Sequence, residues 1–316
     1  MSATTTSTPI TRRVRAYFAP VDRASNTPTL FDPAQSGHFE LDAPPAPWRD
    51  LGWCTGFRRD SDSAHGITPL RAGAHAMVST QVRSTADATV ALEFATWGKL
   101  QLALSSGSQQ MNLLATGIGA ASAASGGDAV PALALDDAST AAALVIGGAA
   151  SQFNAGDYVV VDADYTGQTG YLGAGVSGAY VRSPSDIRGV DYIRRISLNV
   201  GRIAGIANGT LALEQPLLAG DPAAGAKLSR VTGFVDRDGS SFFQQWSALF
   251  VMEGEQGDRI LFHYPRLEAM RSPAEIAATL SGPIAQIRLA AAFRALPVTD
   301  SADGEPVLCF RSYLPA

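Results

Sequence analysis

The sequence predicts a mainly β chain with two short helices, and three observations carry that expectation. Long stretches alternate with a period of two, most clearly SSFFQQWSALFVM (240–252) and RILFHYP (259–265). Asn208-Gly209 joins two alternating runs; a type I′ turn needs positive φ at both central positions, so this dipeptide is the strongest short hairpin signal. The hydrophobic period moves off two beside capping residues at two places only, near 96–106 and 273–281.

Taken in order, MSATTTSTPITRR has no apolar core of a secretory signal, so residues 1–11 read as a polar, flexible arm. RRVRAYFAPV (12–21) alternates as a strand. The Pro-rich stretch 27–53 reads as a long loop, and Asn26–Pro47, like the arm, is expected to order on neighbouring copies because it is too polar or Pro-rich to build its own core. DATVALEFA (87–95) is a strand with Val90, Leu92 and Phe94 on one face. In TWGKLQLALSSG, Trp97, Leu100 and Leu104 recur at helical spacing, Thr96 stands as N-cap and Gly107 as the stop, with Trp97 in the core. Residues 116–150 are nearly all small, and mark a connector or a small-residue strand pair. AGDYVVVDADY, RRISLNVGRIAGIA and TLALEQPL then make a compact β unit within 151–230. After EGEQGD and its return strand, Ser272-Pro273-Ala274-Glu275 forms a capping box for the second helix, which stops at Gly282-Pro283. IAQIRLAAAFRALPV and PVLCFRSYL are the last strands, joined by TDSADGE.

The 316 residues suffice for about two domains. Charged residues make up 17%, against roughly 25% in ordinary soluble domains, which suits a chain that hides surface in an assembly. The net charge of −5 lacks the basic footprint of a nucleic-acid grip. Lysine occurs only at Lys99 and Lys227; the other cations are arginine, whose planar fork pairs well with carboxylates at interfaces. Cys54 and Cys309 fit no metal or redox spacing; each reads as a small core residue, with a bond between them left open. No apolar run reaches the length of a membrane span.

Chemistry finds little purchase. GAGVSG (173–178) matches a dinucleotide-binding glycine pattern but lacks the preceding strand and following helix that would present phosphate to a helix N-terminus. His38, His65, His75 and His263 have no metal-ligand spacing. Asp236–Gly239 and Asp300–Gly304 resemble fragments of calcium loops without the full ligand series, and turns explain both. Trp48 and Trp53 read either as packing anchors or as contact residues, and Trp246 as core. The sequence therefore predicts no enzyme, cofactor or metal. In the hairpin 242–265, Ile260, Phe262 and Tyr264 point one way and Arg259, Leu261 and His263 the other, giving one oily and one mixed face. The candidate functional surface is that mixed face and the acidic turn: Gln245, Ser247, Glu253, Glu255, Asp258, Arg259 and His263, facing either a neighbouring subunit or a wet channel.

LGWCTGFRRDS, LEFATWGKLQLALSSGSQQMN, FFQQWSALFVMEGEQGDRILFHYPRLEAM and LAAAFRALPVTDSADGEPVLCFRSYLP together resemble tail tube proteins of tailed bacteriophages. The resemblance covers residues 12–115 and 231–316 and implies a β-sandwich or partial barrel with a short packed helix. It leaves 116–230 as an inserted, small β-barrel domain. It further implies hexameric rings stacked into a tube in the virion tail, made in the host bacterial cytoplasm. The partners implied are other copies, the terminator, tip or baseplate and tape-measure proteins, and passing DNA that is not held tightly. An acidic conduit suits that last role, because basic walls would pair with phosphates. The alternatives are another tail or baseplate component or a glycan-binding adhesive module, expected as a trimer, and a carbohydrate-active enzyme, which needs a carboxylate pair across a cleft.

Overall fold

The computed structural model describes residues 14–22, 27–33, 40–62, 67–72, 77–83, 87–106, 109–115, 130–162, 198–237, 244–270 and 289–316. The polar arm, the glycine pattern at 173–178, the second predicted helix and His38, His65 and His75 lie outside them. The fold is mainly β, as predicted. Strands β1 (Val14–Asp22), β2 (Thr27–Pro28), β3 (Arg49–Asp62), β4 (Ile67–Ala72), β5 (Met77–Arg83) and β6 (Asp87–Phe94) precede helix α1 (Lys99–Ser106). β7 (Gln109–Leu114), β8 (Leu133–Ala134), β9 (Ala143–Val145), a 3-10 turn at Gly147–Gln152, β10 (Tyr158–Asp162), β11 (Val200–Ala207), β12 (Thr210–Leu213) and β13 (Lys227–Arg237) follow. The chain ends in β14 (Gln245–Glu253), β15 (Arg259–Ala269), β16 (Leu289–Ala295), β17 (Val298–Thr299), β18 (Pro306–Val307) and β19 (Phe310–Leu314).

Two compact units divide the chain. The first combines Met1–Val21, Pro28–Gly107 and Phe243–Ala316; the second, Asp22–Thr27 and Ser108–Phe242. Against the expected 116–230, the second unit also takes in β7 and all of β13, because these two strands pair with each other.

In the first unit β14, β1, β3, β6, β16 and β15 pair in turn, and β15 returns to β14, closing a six-stranded antiparallel barrel. Its interior can be read from the aromatics. Phe18 on β1 meets Phe293 on β16 at 5.5 Å between ring centroids, although two strands separate them around the wall on either side. They must therefore meet through the middle. Trp246 and Phe250 join Phe18 edge-on at 6.5 and 6.0 Å, a geometry that sets positive ring edges against negative faces. A barrel this narrow is filled by side chains and is no pore.

The opposite face of β1, β14 and β15 is also covered. Tyr17, Ala19, Leu249, Val251 and Leu261 pack with Phe31, Leu41 and Trp48, all buried. The described parts of the Pro-rich stretch, 27–33 and 40–48, thus lie on their own barrel, where a neighbouring copy had been expected to order them. The expectation failed because three large apolar anchors spaced through a polar stretch carry no periodic signal. Polar bonds hold the same segment: the Tyr17 hydroxyl donates to Leu41 O at 2.9 Å and the Thr29 hydroxyl to Pro20 O at 2.9 Å. Arg15 grips Asp50 with Nε (3.3 Å) and Nη2 (2.6 Å) and reaches Asp42 at 2.7 Å. This forked pairing is stronger than one made by a point charge.

Helix α1 falls inside the predicted 96–106. Ala103 and Leu104 are buried, and the Ser105 hydroxyl donates to Ala290 O on β16 at 2.6 Å. Trp97, however, precedes the helix and is 67% exposed, so its spacing from Leu100 and Leu104 was coincidental. Cys54 and Cys309 are both free thiols.

In the second unit the described pairings run in one path, β7-β13-β10-β11-β12-β9, with β8 beside β13. Leu144, Val159, Ile203, Leu211, Leu213 and Leu228 form its core. Asn208 (φ 49°) and Gly209 (φ 76°) turn β11 into β12, as the dipeptide predicted. Asp300–Gly304 forms the turn between β17 and β18, closed by backbone bonds of 2.8 Å between Asp300 and both Glu305 and Gly304.

Candidate functional site: the hairpin of β14 and β15

β14 and β15 pair from Glu253↔Arg259 to Gln245↔Glu268, with a register shift between Trp246 and Ala248. The shift coincides with Pro265, which has no N–H for the ladder, so a bulge is where a mid-sheet proline fits. Ser247 uses the irregularity: its hydroxyl donates to Pro265 O at 2.7 Å. Gln245 Nε2 donates to Glu268 at 2.7 Å, and Arg266 donates to Gln245 Oε1 at 3.0 Å. Gln244 accepts from the Trp246 indole at 3.0 Å. These polar groups tie the two strands together.

Of the seven sequence-predicted residues, Gln245, Ser247, Asp258 and His263 are buried within the single chain. At Gln245, Ser247 and His263 the mixed face is therefore dry. Alternation assigns side chains to faces, but it does not reveal that a loop and a terminal strand cover the second face. The imidazole of His263 sits between Trp48, edge-on at 5.8 Å, and Phe310, stacked at 5.9 Å. Burial lowers its pKa to about 4; the nearby Thr29 backbone favours the charged form slightly, yet neither ring nitrogen makes a hydrogen bond of normal geometry.

Glu253, Glu255 and Arg259 keep some exposure. Arg259 approaches Glu253 only to 4.0 Å, and such an exposed pair contributes little. Glu255 points outward in a turn closed by Gly254 N donating to Asp258 O at 2.8 Å. Asp258 is only 6% exposed and lies beside the Tyr313 phenol, whose pKa is raised by lost solvation and by this carboxylate. The three acidic turn residues are therefore unequal. Glu255→Lys is expected to leave the melting temperature within about 2 °C of wild type, whereas Asp258→Lys, which buries an uncompensated charge, should lower it several times further. Equal melting temperatures would contradict the placement of Asp258.

The sequence reading missed the apolar surface on this hairpin. Ile260 is 41% exposed and Tyr313 55%, and they stand opposite each other on β15 and β19. Ile260 belongs to the alternating oily face, but here β15 pairs with β19 instead of β16 and has left the closed barrel. No signal in the sequence marks that change of partner.

The chemistry of the remaining polar groups is quiet. Arg59 donates to the Tyr264 hydroxyl and lies 4.6 Å from the Phe262 ring centroid. Burial, opposed by the Arg59 guanidinium and helped by Cys309, pushes the Tyr264 phenol up to about 12. The Cys54 thiol is likewise raised to about 12 by burial, so neither group is a poised nucleophile or base. Among the described residues no group of three or more His, Cys, Asp or Glu could hold a metal, and no helix is long and apolar enough to cross a membrane. No family model matches the chain, and no curated protein matches it.

Proposed function

We propose that the chain is a structural virion protein of a tailed bacteriophage, whose copies close into hexameric rings that stack into the tail tube. One observation carries the reading. Segments 12–115 and 231–316, which bear the resemblance to tail tube proteins, supply all six strands of the closed barrel and the helix packed on it. A sealed, aromatic-filled barrel suits a building block, since it is a rigid unit whose outer surface is left for assembly.

A ring uses head-to-tail contacts, and stacked rings make an open filament. The hairpin offers a surface for such contacts in Ile260, Tyr313 and the exposed acid Glu255. Under this reading the partners are other copies, the proteins at the two ends of the tube, the tape measure, and DNA in transit. The acidic balance of the chain supports weak contact with DNA.

Electron microscopy of the purified protein tests the reading: rings or tubes of sixfold symmetry are the expected result. Uniform trimers would favour an adhesive or baseplate component instead, and monomers at all concentrations would sink assembly altogether.

A further inference from the structure

We infer that His263 is the trigger of an acid-sensitive latch, which holds the segment ending in Trp48 on the outer face of β1, β14 and β15. The inference is independent of the proposed virion role.

The latch has a seat and a strap. The seat is the apolar face made by Tyr17, Ala19, Leu249, Val251 and Leu261; the strap's described anchors are Phe31, Leu41 and Trp48. His263 lies in the seat, 3% exposed, on the same strand face as Leu261 and directly beneath Trp48. The Thr29 backbone favours an imidazolium only slightly, and burial outweighs it. Its ring neighbours are Trp48 and Phe310, and neither ring nitrogen makes a hydrogen bond of normal geometry. The cation–π gain from two rings, one of them edge-on, is smaller than the penalty for burying a charge without a partner.

The charged groups on the packed elements are committed elsewhere. On β1, Arg15 pairs with Asp50 of β3 and with Asp42 of the strap; on β15, Arg259 faces Glu253 of β14. Asp32 and Glu40 on the strap are exposed, and Arg311 on β19 is exposed on the strand face opposite Phe310. None of these is among the groups that set the ionisation of His263, which are burial and the Thr29 backbone.

The sign follows from the direction of the shift. The imidazole titrates near 6.5 when released and near 4 when seated. The released state therefore binds the proton more tightly, and stability of the closed latch is complete above pH 6.5. It is lost as pH falls from above about 6.5 through about 4, a total change approaching roughly 300-fold in the closed-to-open ratio. Opening uncovers the seat, an apolar surface formed by β1 and the hairpin.

Hydrogen exchange on the full chain tests this, with intrinsic rates corrected for pH. In wild type, opening of the segment 40–48, where Trp48 N donates to Pro45 O, should rise roughly 20-fold between about pH 7 and pH 5. Core amides of β1 and β14 should not follow. In His263→Phe the rise should vanish; His263→Gln, which also cannot be charged, serves if the Phe variant packs poorly. The paired carboxylates are unchanged in both variants, so their own acid response cancels in the comparison. The same rise in the variants as in wild type would overturn the latch, and so would exchange in which the segment opens only together with the whole barrel.

Discussion

Phe18→Ala should lower the unfolding free energy of the first unit by about 3–5 kcal/mol, the range for deleting a buried phenyl ring. Phe18 is fully buried and touches three rings from two other strands, Trp246 and Phe250 on β14 and Phe293 on β16. The hole left at the barrel centre cannot collapse easily, because the wall is a closed hydrogen-bonded ring whose strands cannot move in independently. A loss of this size is a large fraction of the typical stability of a domain. The measurement is convenient, since all four tryptophans, Trp48, Trp53, Trp97 and Trp246, belong to the first unit. Urea unfolding followed by tryptophan fluorescence therefore reports that unit alone. Tyr313→Ala is the matching control: the ring is larger than a methyl by a similar amount, but more than half exposed, and should cost under about 1 kcal/mol. Similar midpoints for the two variants would mean that Phe18 does not occupy the barrel centre.

How much of this was legible in the sequence depends on the range of the interaction. Local signals worked. Val90, Leu92 and Phe94 alternate inward along β6 as read, Leu104 lies buried on α1, and Asn208-Gly209 turns the hairpin. Each depends on contacts within a few residues or on the intrinsic φ of one of them. Signals that depend on what later covers a surface failed. The mixed face with Gln245, Ser247 and His263 looked wet because polar residues stood on it, but Phe31, Leu41 and Trp48 come from far away in the chain to pack on its Leu249, Val251 and Leu261, and Trp48 and Phe310 enclose His263. Trp97 failed for the opposite reason: it keeps helical spacing with Leu100, but the helix begins only at Lys99. Ile260 kept its place in the alternating pattern while its strand exchanged β16 for β19, so an apolar residue of the oily face came out into solvent. The site was therefore legible as a hairpin and as a turn, but not as a surface.

The second unit should respond to a single methyl group at its tightest turn. Gly209→Ala is expected to destabilise it by about 2–4 kcal/mol. Two costs add. Gly209 has φ +76°, where a side chain strains the backbone by about 1–2 kcal/mol. An added Cβ would also lie 2.8 Å from Gly147 Cα and 3.0 Å from Gly147 O, both backbone atoms that cannot rotate aside. Moving them apart pulls on two hydrogen bonds, Ile146 N to Gly209 O at 2.9 Å and Gly147 N to Gly209 O at 3.0 Å, worth about 0.5–1.5 kcal/mol each. These bonds tie the hairpin of β11 and β12 to the end of β9. Gly205, four residues earlier on β11, is the internal control. It has no positive φ and open space around an added Cβ, so Gly205→Ala should be neutral or stabilise slightly through reduced freedom of the unfolded chain. Because the second unit holds no tryptophan, the readout is hydrogen exchange of residues 143–147 and 200–213 beside the fluorescence transition. Protection in these stretches should fall in Gly209→Ala and persist in Gly205→Ala, with the tryptophan transition unmoved in both. If the two alanine variants were equally protected, the close approach of Gly209 to Gly147 would not exist in solution.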